Sequence, residues 1–420
     1  MLICRMIQET MKKIDLQEYE RSDAIRLSVE QRDELIRAKN KSELGVQMTI
    51  EPVIGRTEEY MLTPGSTIGA FETSSCSVCI APKISIRQLI SLLCYTIDQV
   101  RFQEDEFGFP EEAALPDALA LALASAARRC FSNGLLHGYR TEEEALHTVR
   151  GRIRFDDQVR RRIGIPLPVE VRYDEFTDDI LANRLVKAAA MRLQGMSLLS
   201  TEASRQLAWV AGMLHSVAHV EFQRDSVPKL IFDRLNEHYR SVVTLAQLIL
   251  RHRMFESGRG TLRASGFLVD MAGFFQEFVT IALRNSLRIS KYENFGEHHI
   301  NPLDKGGSIR LRPDLTWWED DKCRFVGDVK YKLTDGRGPN ADLYQLLAYV
   351  TALDLPGGML VYAKGEAREQ THVIRHSSKR LIVTALDLSG TLDQVLSKVD
   401  DIARHAKELL LDSKDQRSAA

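Results

Sequence analysis

The stretch RPDLTWWEDDKCRFVGDVK, residues 312–330, decides how the C-terminal part of this chain folds. Residues 315–318 and 323–331 are rich in aromatic and β-branched side chains, a composition that predicts two β-strands. The polar residues 319–322 lie between these two runs and predict a turn. The sequence therefore predicts a β-hairpin centred near Asp321.

The predicted hairpin brings three charged side chains together. It sets Asp314 opposite Asp328, and directly opposed side chains have Cβ atoms about 5 Å apart. Lys330 points the same way as Asp328, because side chains two positions apart on a strand share a face. Two acids can hold a hard divalent cation through oxygen. We therefore predict that Asp314, Asp328 and the backbone carbonyl of Val329 ligate Mg²⁺ or, in its place, Mn²⁺, and that Lys330 orients an attacking water.

The surroundings of this pattern separate it from a solvated hairpin with surface acids and lysines, which is the alternative interpretation. Asp328 lies in a largely apolar run, and a charge embedded there is costly unless it is paired or holds a metal. Upstream, residues 274–279 indicate a buried helix with one acid, Glu277. Glu277 is a further catalytic candidate that could orient a water or a second metal, or else an ordinary helix-surface acid.

Three more residues are candidates for contact with the substrate or with ordered water. Gln345 and Tyr349 stand at i and i+4 of a predicted helix and share one of its faces, although Tyr349 could equally belong to the core. Lys332 shares the face of Lys330 and is expected to touch phosphate. All three lie just downstream of the predicted metal ligands.

These motifs resemble the PD-(D/E)XK nuclease fold in its RecB-like branch, and more closely the McrC family, the nuclease subunit of modification-dependent restriction systems. The resemblance covers roughly residues 80–385 and rests on the acidic motifs at 312–314 and 328–332 and on the helix at 274–279. It also rests on two stretches in the middle of the chain, 150–154 and 178–184.

The resemblance implies an activity and a partner. A McrC-like chain is expected to be a Mg²⁺-dependent endonuclease that cuts double-stranded, methylated foreign DNA, with Gln345 and Tyr349 near the DNA backbone. Its expected partner is McrB, whose AAA+ GTPase hexamer recognises and translocates the DNA. The N-terminal half would dock on that ring and stimulate GTP hydrolysis, and the C-terminal half would cut. A double-strand cut needs two sites, which could come from a homodimer through the nuclease domain.

Composition fits a division of labour between proteins. The 420 residues suggest two or three domains, and 56 Lys+Arg against 58 Asp+Glu leave a net charge of −2. A protein that grips long DNA unaided is more often basic, so either a partner supplies DNA affinity or basic residues cluster locally. The sequence has neither GxxxxGK[ST] nor GxGxxG, so any nucleotide is expected to bind another protein.

Neither a membrane span nor a zinc site is predicted. The most apolar stretch, 118–127, is shorter than the ~20 residues that a span needs, and no cleavable signal opens the chain. We expect a soluble cytoplasmic protein with six reduced cysteines. Cys76 and Cys79 form a CxxC, but no second pair follows to complete a zinc site.

Hydrophobic periodicity predicts an α/β chain, α+β overall, in three parts. Residues 1–85 form a β-rich docking module, 86–255 a helical, partner-binding region, and 256–420 a nuclease domain with a mixed central sheet flanked by helices. Ser28 with Gln31 and Ser85 are predicted helix caps. Further elements are helices at 118–131, 178–193, 202–218, 227–253, 265–287, 341–352 and 392–411, and a strand at 300–311.

An arginine-rich stretch, 149–172, lies within the helical region and carries seven arginines against three acids. Arginine forks match phosphates, so Arg150, Arg152 and Arg154 are candidates for contact with DNA or with an acidic or nucleotide-bearing partner. An arginine that reached a neighbouring GTPase would act as a finger. The alternative is a surface arm held by internal ion pairs.

Three functions are compatible with these residues. The first is the endonuclease subunit of a McrBC-like restriction complex. The second is a stand-alone RecB-like exonuclease of DNA repair, which would cut free-ended DNA without nucleotide. The third is a non-catalytic adaptor that activates an AAA+ ring, and the intact Asp314, Asp328 and Lys330 argue against it.

Overall fold

The computed structural model describes residues 11–40, 45–100, 109–110, 113–132, 134–196, 199–251, 253–257, 264–290, 293–298, 300, 302–334, 340–365 and 369–418. The chain divides into two compact units. Unit 1 comprises Met1–Arg101 and Met254–Ala420, and unit 2 comprises Phe102–Arg253. The three domains predicted from the sequence stay a prediction. The two units of the structure meet between residues 101 and 102 and between residues 253 and 254.

The elements follow one another in this order along the chain. The first half contains β1 (Lys12–Gln17), β2 (Ile25–Arg26), α1 (Val29–Asn40), β3 (Met48–Pro52), β4 (Glu59–Pro64), β5 (Thr67–Glu72), β6 (Cys76–Ala81), α2 (Ile86–Asp98), α3 (Leu115–Phe131), β7 (Gly138–Leu146), β8 (Arg152–Ile153), α4 (Phe155–Arg161), β9 (Val169–Thr177), α5 (Leu181–Gln194) and α6 (Thr201–Met213). The second half contains α7 (Arg240–Arg251), β10 (Arg253–Ser257), β11 (Ala264–Asp270), α8 (Met271–Leu287), β12 (Asn294–Gly296), β13 (Leu315–Glu319), β14 (Lys322–Thr334), α9 (Asn340–Ala352), β15 (Gly357–Gly365), β16 (Gln370–Val373), β17 (Arg380–Ala385) and α10 (Leu392–Ser418).

A six-stranded mixed sheet, in the order β12-β13-β14-β15-β17-β16, forms the centre of the C-terminal part of unit 1. Its strands β14, β15 and β17 run parallel, and the outer strands pair antiparallel. Helix α9 packs on one face, where Leu346 and Val350 are fully buried against Val326 and Leu360. Helix α8 packs against β14 through Phe275 and Tyr331, whose ring centroids are 5.7 Å apart. The mixed α/β architecture predicted for this part is confirmed.

A second, five-stranded sheet in unit 1 has the order β1-β6-β5-β11-β10. The helix predicted at 265–287 is wrong in its first turns, because Ala264–Asp270 forms β11 and only Met271 begins α8. The apolar run 267–269 is buried in the sheet, and Asp270 then caps α8 by accepting a hydrogen bond from the Ala272 N–H at 3.1 Å. Gly69 has φ +117° and pairs closely with β11, where a Cβ would lie 2.1 Å from the carbonyl oxygen of Phe267.

Unit 2 combines helices α3, α5, α6 and α7 with a three-stranded sheet in the order β7-β9-β8. The prediction of a helical region is therefore wrong where β7, β8 and β9 lie. In β9, which pairs with β7 over nine residues, Val171 and Tyr173 are buried and the charged residues Arg172 and Asp174 are exposed. Charge-rich alternation of this kind carries little apolar signal, so the sequence pattern did not indicate a strand.

Other local predictions divide into confirmed and corrected ones. Ser28 and Gln31 exchange hydrogen bonds as a capping box, and Ser85 accepts from the Gln88 N–H. The helix predicted at 227–253 is shorter, because only Arg240–Arg251 is α-helical. The strand predicted at 300–311 reduces to a single bridge between Ile300 and Leu311, since Asp304 accepts backbone hydrogen bonds that fold the segment into a turn.

None of the described helices is long and apolar enough to cross a membrane.

Candidate active site

The site is built on the β13–β14 hairpin. Its two-residue turn, Asp320-Asp321, has φ +49° and +58°, and positive φ at both central positions matches the twist of paired strands. Leu315 pairs with Gly327, so the register continues to Asp314 opposite Asp328. The hairpin predicted from the sequence is therefore present, with the turn at the predicted residues.

The structure brings Asp314, Asp328 and Lys330 together. Lys330 Nζ lies 2.7 Å from Asp328 Oδ2, and the Asp328 side chain is almost fully buried. The two carboxyl groups are close enough for the charge of Asp314 to act on Asp328. Asp314 Oδ2 also accepts a hydrogen bond from the Val329 N–H at 3.0 Å. That backbone contact fixes the Asp314 carboxylate beside the strand that carries the other two side chains.

Burial and the neighbouring charges shift the pKa values of Asp314, Asp328 and Lys330. Burial raises the pKa of Asp328, and the neighbouring charge of Asp314 raises it further. Burial also raises the pKa of Asp314, against the lowering effect of its hydrogen bond from Val329. Burial alone would lower the pKa of Lys330, but its hydrogen bond to Asp328 and the two nearby carboxylates raise it. Two buried acids beside one ammonium thus leave an excess of negative charge, which a cation would neutralise.

The donor set fits a hard divalent cation in part. Asp314 and Asp328 present adjacent carboxylate oxygens, and the buried Asp328 Oδ2 has no aligned hydrogen bond among the described residues besides its ion pair with Lys330. Oxygen donors of this kind suit Mg²⁺, which usually keeps several waters. In the described part of the chain, no three His, Cys, Asp or Glu side chains form a group that could hold a metal. Water and backbone oxygens would therefore have to complete the coordination.

The predicted third acid, Glu277, does not complete a carboxylate group with this pair. It lies exposed on α8, outside any three-residue metal-holding group of the described residues. The acid whose charge acts on Asp314 is Glu297, which raises the pKa of that carboxyl group. Glu297 is ion-paired with Arg312 and accepts a hydrogen bond from Gln276 at 3.4 Å. Glu297 was not predicted from the sequence, because only the pairing of β12 with β13 places it beside Asp314.

Gln345 and Tyr349 form one hydrogen-bonded unit with the backbone of the segment that precedes Asp314. Gln345 Nε2 donates to Tyr349 Oη at 2.8 Å, and Tyr349 Oη donates to the carbonyl oxygen of Arg312 at 3.2 Å. Tyr349 is buried, and burial together with the Asp328 charge raises its pKa to about 12. The tyrosine thus holds the backbone two residues before Asp314, while Gln345 stays exposed on the same helical face.

Lys332 is engaged within the protein. Its Nζ lies 2.6 Å from Asp342 Oδ2, and the same oxygen accepts a hydrogen bond from Tyr362 Oη at 2.6 Å. The register of β14 against β15 shifts between Lys330 and Leu333, so Lys332 does not follow a regular alternation. Lys332 remains partly exposed and could still reach a phosphate.

The three candidate arginines of unit 2 differ in their contacts. Arg150 lies 3.4 Å from Glu175 and over the Tyr173 ring, and Arg154 lies 3.0 Å from Glu143. Arg152 is exposed on β8 and forms no ion pair with any described residue. Arg152 is therefore the arginine of this set whose guanidinium is most available to another molecule.

The fold and the site together define a class of protein, a mixed α/β protein with a buried carboxylate pair and a lysine on adjacent strands. The family model of the McrBC 5-methylcytosine restriction system component matches residues 62–363. Because this match spans more than half of the chain, the protein belongs to that family. No curated protein matches the chain in sequence.

Two solved structures resemble it. A chain of the refined half-complex from the tetradecameric assembly of Thermococcus gammatolerans McrB AAA+ hexamers with bound McrC aligns with a TM-score of 0.59 at 16% identity, over 94% of this chain and 99% of that chain. A chain of the cryo-EM structure of the Thermococcus gammatolerans McrBC complex aligns with a TM-score of 0.45 at 17% identity, over 67% of this chain and 89% of that chain. At these identities the first match shows a shared fold.

Proposed function

We propose that this chain is the Mg²⁺-dependent DNA endonuclease subunit of a McrBC-type restriction system, with a PD-(D/E)XK nuclease domain in the C-terminal part of unit 1. The observation that carries the proposal is the buried pair Asp314 and Asp328 with Lys330 Nζ 2.7 Å from the second acid. Membership of the McrBC family supports the biological setting. A restriction subunit of this kind would act in the cytoplasm, where foreign DNA arrives.

In this proposal each residue of the site has a defined task. Asp314, Asp328 and the Val329 carbonyl would hold Mg²⁺, or Mn²⁺ in its place. When bound, the metal would polarise the scissile phosphate and lower the pKa of a water. Lys330 would place its ammonium beside the attacking water and the negative charge that develops on the phosphate. Glu277 is kept as a candidate to orient a water.

Tyr349, Gln345 and Lys332 would act next to these groups. Tyr349 holds the carbonyl of Arg312 and so keeps Asp314 in place. The exposed amide of Gln345 would contact the DNA backbone. Lys332 would exchange its ion pair with the buried Asp342 for a DNA phosphate, because the lysine side chain lies partly open to solvent. Such a switch would couple substrate binding to the strand that carries Lys330.

We propose an McrB-like AAA+ GTPase hexamer as the partner, and unit 2 as the part that meets it. The similar solved structure is described as McrB AAA+ hexamers with bound McrC. Exposed apolar patches mark interaction sites, and unit 2 exposes several large apolar side chains. They lie on β7, α4, β9 and the segment between α4 and β9, at Tyr139, Phe155, Val159, Ile163, Ile165 and Phe176.

Arg152 is the proposed contact to the nucleotide-bearing ring, since it is exposed and unpaired among the described residues. Arg150 and Arg154 are held by carboxylates of the same unit and serve as internal comparisons. Replacing Arg152 by Gln is expected to lower stimulation of partner GTPase activity more than replacing Arg150. Equal stimulation by the wild-type chain and the Arg152 variant would rule out that role.

Reconstitution tests the proposed function. The purified chain is incubated with an McrB-like partner, GTP, Mg²⁺ and methylated circular DNA, with parallel reactions that lack the partner. Cleavage that needs partner and GTP, and is lost in Lys330→Ala, supports the proposal. Lys322→Ala is the matched control, because Lys322 is an exposed lysine at the turn of the same hairpin. Degradation of free-ended DNA by the chain alone would instead show a stand-alone exonuclease, and cleavage unchanged by Lys330→Ala would show that this site is not catalytic.

Two copies of the chain are proposed for a double-strand cut.

A further inference from the structure

A cavity of about 240 Å³ lies in unit 1 where parallel strands of the six-stranded sheet end. Lys332 near the end of β14 lines it, as does the segment that follows β17, with Asp387 and Ser389. The opposite wall comes from Tyr19, after β1, and Lys83, before α2. Ligands of open α/β sheets bind at the carboxyl ends of parallel strands, so the position suits a binding site.

The charges around the cavity favour an anion. Lys83 is exposed, and its charge acts on the buried Glu18, whose pKa it lowers. Lys332 contributes a second, partly exposed ammonium that is shared with Asp342. The acid on the wall, Asp387, is turned to its own loop, where it accepts a hydrogen bond from the Ser389 N–H at 2.9 Å and lies 3.7 Å from Lys398. Two lysines therefore line the space, and the acid on its wall, Asp387, is already paired with Lys398.

Tyr19 supplies an aromatic surface at a conformational cost. Its φ is +55°, a left-handed conformation that bulky residues rarely adopt, and its side chain is still 45% exposed. The Tyr19 ring lies beside Tyr331 with centroids 6.1 Å apart, and Lys83 Nζ lies 5.3 Å from its centroid. Strained residues of this kind cluster at ligand sites. An exposed ring between a lysine and a second tyrosine is suited to stacking with a base.

The buried Glu18 contacts two of the residues that line the cavity, Lys83 and Tyr331. It is fully buried, accepts a hydrogen bond from the Lys83 N–H at 3.4 Å and is hydrogen-bonded to the Tyr331 side chain. Its Oε1 has no hydrogen-bond partner among the described residues. A buried, incompletely satisfied carboxyl group is costly and is retained here next to the cavity.

We propose that this cavity binds a single nucleotide unit of a DNA strand, with its phosphate between Lys83 and Lys332 and its base against Tyr19. The cavity is smaller than the about 300–1,000 Å³ typical of pockets for larger ligands, which limits the occupant to one unit. The inference rests on the proposed nuclease function, because β14 carries both Lys332 and the catalytic candidates Asp328 and Lys330. An unpaired nucleotide held here would anchor the strand beside the site of cleavage.

Binding of thymidine 5′-monophosphate to the purified full chain in EDTA tests the proposal by calorimetry. Lys83→Gln and Tyr19→Asn are each expected to weaken binding by about tenfold or more. Asn tolerates the left-handed backbone, so this variant removes the ring without adding strain. Lys322→Gln is the matched lysine control and should bind like the wild type. Circular dichroism confirms that each variant is folded.

The competing outcomes are distinguishable. Inorganic phosphate that competes as strongly as the nucleotide, or an unchanged affinity in Tyr19→Asn, would overturn the nucleotide site. Affinity that is unchanged in Lys83→Gln would overturn it as well. Asp328→Asn should keep wild-type nucleotide affinity, because Asp328 does not line the cavity. Loss of cleavage with intact nucleotide binding, or the reverse, therefore shows which of the two proposals fails.

Discussion

Replacing Glu18 by Gln should stabilise unit 1 at alkaline pH. Burial raises the pKa of Glu18 from 4.5 to about 7, against the lowering effect of its hydrogen bond with Tyr331. A carboxyl group whose pKa is raised by folding binds its proton more tightly in the folded state. The free energy of unfolding therefore falls as pH rises from the unfolded pKa to the folded pKa. The resulting loss of stability is absent below the unfolded pKa of 4.5 and complete above the folded pKa of about 7.

The size of the effect follows from the pKa difference. A change of one pKa unit corresponds to about 1.4 kcal/mol, so a rise from 4.5 to about 7 gives an upper limit of about 3 kcal/mol at pH 8. At pH 5 the same linkage leaves a penalty of about 1 kcal/mol or less. Gln keeps the acceptor for the Lys83 N–H and carries no charge. Glu18→Gln should thus gain about 2 kcal/mol more over the wild type at pH 8 than at pH 5.

Urea denaturation at both pH values measures this difference. In a Trp209→Phe background the two remaining tryptophans, Trp317 and Trp318, both lie on β13 and report on unit 1. Tyr331→Phe is the opposing control, because it removes a hydrogen bond that lowers the Glu18 pKa and should cost more stability at pH 8 than at pH 5. A Glu18→Gln protein that is equally destabilised at both pH values would refute the reasoning.

Three further predictions concern other parts of the molecule. Asp179→Ala should destabilise unit 2 by about 1.5–3 kcal/mol, because it removes the buried carboxylate that pairs with the partly exposed Arg184 and Arg140; urea titration followed by Trp209 fluorescence measures it. Hydrogen bonds from Arg184 hold the Asp179 pKa below its ordinary range, so wild-type stability should fall as pH drops below about 4, and a flat profile there would contradict the assignment. Gly69→Ala should destabilise unit 1 by at least about 1–3 kcal/mol, since a Cβ would meet a β11 carbonyl at positive φ, and an unchanged urea midpoint would refute this. Tyr349→Phe should cost about 1 kcal/mol of stability and slow cleavage while binding of partner is kept, and full cleavage activity would show that the Arg312 carbonyl needs no anchor.

The hairpin was predictable because its signals are local. Aromatic and branched runs flank a polar turn, and the period of two along β14 places Asp328 and Lys330 on one face. The capping residues Ser28 and Ser85 were predictable for the same reason, since a cap is recognised within three residues. Each of these two serines accepts a hydrogen bond from the backbone N–H three residues later, so the interacting groups are neighbours in the sequence.

The remaining features depend on contacts between distant residues. Glu297 acts on Asp314 only because β12 pairs with β13, and the short β12 leaves little pattern in the sequence. Strand β11 was predicted as helix, because Asp270 alone separates its apolar run from the first apolar residue of α8. The buried Glu18 could not be found from the sequence either, since its partners Lys83 and Tyr331 are far away along the chain.

Cleavage by Asp328→Asn in the complete reaction tests the central claim most directly. The variant keeps the shape of the side chain but removes a charge from the carboxylate pair. With partner, GTP and Mg²⁺ present, we expect a loss of about 10²–10³-fold or more in cleavage rate, with partner binding unchanged. Cleavage at the wild-type rate by this variant would contradict the assignment of the catalytic centre to Asp314, Asp328 and Lys330.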